Sequence, residues 1–161
     1  MNSAAVSQPL TLEQAQALVR MNEEMAAALQ RVEAINFTML RSKLIRDHVM
    51  TEEQCEETER LYRCFLALVI RYPDRTICPT GPIDTFWHAH ILDTQAYERD
   101  CHALFGHFLH HFPYFGMRGS DDRADLERAF QETVDLFIRS FGIDPTAGDT
   151  TARSCRPQNC P

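Results

Sequence analysis

Six of the chain's seven histidines, its one tryptophan and Cys101 fall between Asp84 and Gly116. Imidazole is the commonest metal ligand and the usual side chain to change charge near neutral pH, so this crowding points to metal or acid–base chemistry. Two groups of ligands stand out, Asp84, His88 and His90 upstream and His107, His110 and His111 downstream. On a helix Asp84 and His88, four apart, share one surface, and the carboxylate can fix the imidazole's tautomer or join it as a ligand. His88 and His90 point about 160° apart at about 100° per residue, so a regular helix cannot give both to one ion. Downstream, a helix would put His107 on one face with either His110 or His111, ending at Pro113. The run lacks the glutamate of a metalloprotease HExxH, so the expectation is a His-based centre without that signature.

The ligand chemistry narrows the metal. Mixed nitrogen and oxygen donors favour zinc or iron, whereas Cys101 and the terminal thiols would pull the preference towards zinc or copper. An enzyme would need an open coordination position as well. The sequence therefore points to a small metal-binding protein or metalloenzyme whose centre lies between the WHAH helix and the HFLHHFP turn.

The elements that must position these residues read as helical almost throughout. Thr11 with Gln14 gives a capping signal, and apolar positions from Leu12 to Leu29 predict a first helix to about Val32. A shorter helix follows, ending near His48. Thr51 with Gln54 opens a third, which runs to Tyr72-Pro73. PDRTICPTGP, residues 73–82, reads as a loop that fixes the angle of the next helix, which starts at Asp84. In that helix Ile83, Phe86, Trp87, His90, Thr94, Tyr97, Cys101, Leu104 and Phe105 fall within a sector of about 100°, the core face. His90 is thus aimed inward and requires a partner, while His102 lies on the polar face. Gly106 can break the helix and let the downstream histidines fold back. A final helix runs from Asp121-Asp122 to Gly142. No stretch alternates as a strand should. The expected fold is all-α, a compact bundle of about five to six helices. Residues 1–9 are expected to be flexible, 10–143 to form one helical domain, and 144–161 to be a disordered Cys-containing tail.

Composition and charge exclude several functions. A chain of 161 residues, 44% hydrophobic, can bury a core without disulfides or metals to staple it. With 16 Lys and Arg against 23 Asp and Glu, the net charge of -7 offers no field for nucleic acid. No apolar run spans a bilayer, so membrane insertion is not expected. The N-terminal residues lack the charged and apolar regions of a secretory signal, which predicts a cytoplasmic protein with reduced cysteines.

One run of residues resembles a known family. Asp84, Trp87-His88-Ala89-His90, Ile91-Leu92, Thr94, Tyr97, Cys101, Gly106 and His110-His111 before Pro113 are similar to the small helical domain of the glycine-rich-domain-containing-protein-like family. The resemblance covers about Tyr72 to Gly116, and plant members carry His-Asp-Asp where this chain has His111-Phe112-Pro113. It implies an all-helical domain and no defined reaction.

Two further classes of function remain open at the level of sequence. SCRPQNCP places Cys155 and Cys160 after a polar linker, the layout of a folded leader with a modifiable peptide or of a thiol carrier. Alternatively the histidines and aromatics pack a helical adaptor for a protein or peptide partner.

Overall fold

The computed structural model describes residues 11–146 and 156–159. Six helices carry the fold, within the five to six expected: α1 (Leu12–Glu33), α2 (Thr38–Arg46), α3 (Glu52–Arg71), α4 (Gly81–Leu92), α5 (Thr94–Phe105) and α6 (Ser120–Phe141). The long helices α1 and α3 begin in matching capping boxes, Thr11 with Gln14 and Thr51 with Gln54, each satisfying two backbone N–H groups that the first turn leaves orphaned. α6 closes at Gly142, whose φ of 66° suits the left-handed end of a helix.

α3 is the axis of the bundle and packs against α1, α2, α4 and α6. It buries Tyr62, Phe65, Leu66 and Leu68 completely or nearly so. Around Tyr62 the rings of Phe37, Phe86 and His90 meet at centroid distances of 5.1 to 6.0 Å, which ties α2 and α4 to α3. A second, smaller cluster joins Cys78, Phe115, Leu126, Ala129, Phe130 and Val134 beneath the loop that follows α3. There the Cys78 N–H donates to Thr133 Oγ1 at 2.9 Å, fixing that loop against α6.

The sequence reading needs two local corrections. The expected single helix from Asp84 to Phe105 is broken at Asp93, whose side chain accepts from the Ala96 N–H and starts α5 afresh. The break is a capping effect, since an Asp beside Thr94 offers the backbone a better ending than continuation. The second correction concerns HFLHHFP. Gly106, at φ 79°, ends α5, and residues Leu109–Phe112 form strand β1 rather than a helical turn. β1 pairs antiparallel with β2 (Arg156–Asn159), with His111 opposite Pro157 and His110 opposite Gln158.

Gly116 shows how tightly this part of the chain is fitted. It sits at φ +86°, and a Cβ there would lie 2.5 Å from Leu126 Cδ2. Gly116→Ala is therefore expected to cost about 2 to 3 kcal/mol, through strain at positive φ and displacement of a buried leucine. Urea denaturation of the variant measures this; an unchanged midpoint would mean that Leu126 moves aside without loss.

Candidate metal centre

Helix α4 presents its two histidines as the helical phase requires. His90 is buried and His88 is exposed on the opposite side. Asp84 lies one turn before His88, and the His88 ring nitrogen Nδ1 is 2.7 Å from the Asp84 carbonyl oxygen and 3.4 Å from its Oδ2. A carbonyl only accepts, so Nδ1 carries the proton and donates.

His111 reaches the same place from β1. Alternation along the strand puts Leu109 and His111 on one face and His110 on the other, and Leu109 is fully buried. The His111 ring meets Trp87 edge-on at 4.7 Å and His88 at 4.4 Å between centroids. Its Nε2 lies 3.9 Å from Asp84 Oδ1, beyond hydrogen-bond length, and is buried with no hydrogen-bond partner. Asp84, His88 and His111 thus form a group whose candidate ligand atoms all lie within 4.8 Å of one another. Two donors held by one zinc or iron ion stand roughly 3 to 4 Å apart, so closing the group asks only for small side-chain rotations.

The strand is held in register by a hydrogen-bond chain. The Trp87 Nε1–H donates to the Tyr97 hydroxyl at 3.0 Å, and that hydroxyl donates to the Leu109 carbonyl at 2.6 Å. Burial pushes the Tyr97 phenol well above its ordinary range, so it stays a donor. One tryptophan therefore both braces the His111 ring and, through Tyr97, anchors the strand that carries it.

The other predicted residues lie elsewhere. His90 has both nitrogens engaged inside the core, Nδ1 with Tyr62 Oη at 3.0 Å and Nε2 with Asp100 Oδ2 at 3.2 Å. Asp100 in turn accepts from Arg99 Nε at 3.1 Å. His110 is exposed beside Phe108, and His107 is half-buried near Phe105; neither belongs to the three-residue group. Cys101 is buried beneath Tyr97, where burial raises its thiol above the usual range and disfavours a thiolate ligand. Cys155 and Cys160 lie outside the described residues.

Sequence reasoning missed Tyr62 and Asp100 as partners of His90. Asp100 had a signal, since it lies three residues after Tyr97 and four before Leu104, close to the inward face. Its charge argued for solvent, and only the buried imidazole explains its place.

A family model described as UCP032817-like matches residues 27–149, about three quarters of the chain. The chain belongs to the UCP032817-like family. The resemblance to glycine-rich-domain-containing proteins is corrected by this match. The residues that carried it are largely architectural: Trp87, Tyr97 and Cys101 are core, and Gly106 is a helix cap. No curated protein and no solved structure shows a significant match to the chain. The UCP032817-like match includes all three residues of the Asp84, His88 and His111 group. Among the described residues no helix is long and apolar enough to cross a membrane.

Proposed function

We propose that this UCP032817-like protein binds a divalent transition metal through Asp84, His88 and His111. The observation that carries the reading is the His111 Nε2, a buried ring nitrogen with no hydrogen-bond partner, facing a carboxylate oxygen at 3.9 Å. Leaving a buried polar atom unpaired costs about 1 to 3 kcal/mol, and an ion shared with Asp84 would repay that. Two imidazoles and one carboxylate, with no thiolate, suit zinc or iron(II) better than copper.

His88 is the outer wall of the group, with 48% of its side chain exposed against 17% for Asp84 and 14% for His111. A bound ion would hold three protein donors and keep positions open on the His88 side. Such a centre can polarise a substrate oxygen or lower the pKa of a bound water. The residues of the chain would supply orientation: the Asp84 carbonyl sets the His88 tautomer, and Trp87 holds the His111 plane.

Elemental analysis of the protein, purified without a histidine tag and reconstituted with zinc or iron(II), tests this. The expected result is about one equivalent retained after dialysis. Metal far below one equivalent with both ions would end the proposal.

A further inference from the structure

A second surface, sharing no residue with the metal group, has the character of a ligand site. A groove of about 670 Å³ runs between α1 and the C-terminal end of α3, lined by Glu24 and Arg31 on one side and by Arg71, Tyr72, Asp74 and Arg75 on the other. The guanidinium carbons of Arg71 and Arg75 lie 5.2 and 5.5 Å from the centre of the Tyr72 ring, so the aromatic ring gathers two cations. Arg71 pairs with Glu24, yet its Nε is buried without a hydrogen-bond partner. Arg31 donates to the Ala103 and Leu104 carbonyls at the end of α5, so its guanidinium meets the negative end of that helix and no carboxylate. Neither Arg31 nor Arg75 has a carboxylate within ion-pair distance among the described residues.

This concentration of guanidinium groups occurs in a chain of net charge -7. General electrostatic attraction for anions is therefore absent, and whatever the groove attracts, it attracts locally. We propose that it binds a small organic phosphate, with the phosphoryl oxygens at Arg75 and the organic body along Tyr72. The planar guanidinium fork of Arg75 can donate two parallel hydrogen bonds to phosphoryl oxygens, and the nearly doubly charged phosphate monoester draws it more strongly than a singly charged carboxylate. The groove is far larger than a phosphate ion. Glu24 and Asp74 at its edge suit a body that carries hydroxyl or amino donors.

The full chain would be titrated at low ionic strength with phenyl phosphate, inorganic phosphate and benzoate, following the amide NMR signals of residues 24–31 and 70–75. Phenyl phosphate is expected to saturate and to bind about tenfold tighter than inorganic phosphate, because only the ester has a body to lay against Tyr72. Benzoate is expected not to saturate. Arg75 is exposed, so Arg75→Ala should fold normally while weakening phenyl phosphate about tenfold, and Arg75→Lys should restore only part of the loss. Shifts that never saturate with phenyl phosphate, equal affinity for benzoate, or wild-type affinity in Arg75→Ala would each overturn the assignment.

Discussion

Exchanging His111 for phenylalanine is expected to abolish metal retention and, in the metal-free protein, to raise the melting temperature. Both effects come from one atom. Nε2 is buried and unpartnered, so a phenyl ring that keeps the contact with Trp87 removes an orphaned polar group and gains about 1 to 2 kcal/mol, a few degrees for a chain of this length. The same exchange deletes the best-buried nitrogen of the three-residue group, and metal affinity should fall by about a hundredfold or more. His88→Ala should also lower metal content, with little change in metal-free stability because that ring is half-exposed. His102→Ala should do neither. Calorimetry with and without added zinc separates these outcomes; a His111→Phe protein that keeps its metal, or melts well below wild type, contradicts the assignment. A gain in stability on losing function would mark His111 as retained for binding and not for folding.

His90, two residues from His88, is expected to behave in the opposite way. His90→Ala leaves Tyr62 Oη and Asp100 Oδ2 without their partner in the core and opens a cavity among Phe37, Tyr62 and Tyr97. Breaking a buried, hydrogen-bonded pair in this manner costs about 3 to 5 kcal/mol, a large share of the stability of a single domain. The native protein should also carry a pH signature from this site. Burial, working against the nearby Asp100, holds the His90 imidazole below its ordinary value of 6.5. The unfolded chain then takes up the proton more readily than the folded one. This contribution is therefore complete above pH 6.5 and is lost progressively as the pH falls below it. His90→Gln, which cannot titrate, should show a flatter dependence of melting temperature between about pH 7 and 5 than wild type. Equal slopes in the two proteins would mean that folding leaves the His90 imidazole's affinity for its proton unchanged.

How far the sequence revealed this arrangement differs from element to element. The capping boxes at Thr11 and Thr51, the inward phase of Trp87, His90, Tyr97 and Cys101, and the stop at Gly142 were all legible, because each is a local property of helix geometry. The WHAH histidines were separable for the same reason. The downstream triplet was not. His107, His110 and His111 have helical spacing, and the strand that selects His111 depends on Gly106 ending α5, on the Tyr97 bond to Leu109, and on pairing with residues more than forty positions away. Such long-range pairing overrides local pattern, and with it the set of histidines that meets Asp84. The groove at Tyr72 was hidden for a related reason, since Arg31 and Arg71 are brought together only by the packing of α1 on α3.

The pairing of β1 with β2 bears on how molecules of this protein behave towards one another. β1 is a short strand that pairs along one edge with Arg156–Asn159. Pro157 has no N–H to give, so the pairs that bond directly must be His110 with Gln158 and Phe112 with Arg156. Without β2, four residues of unpaired edge, including Leu109 and Phe112, would be open to the same strand of a neighbouring molecule. Pairing with Arg156–Asn159 thus meets one edge of β1 that would otherwise be left to water or to another strand.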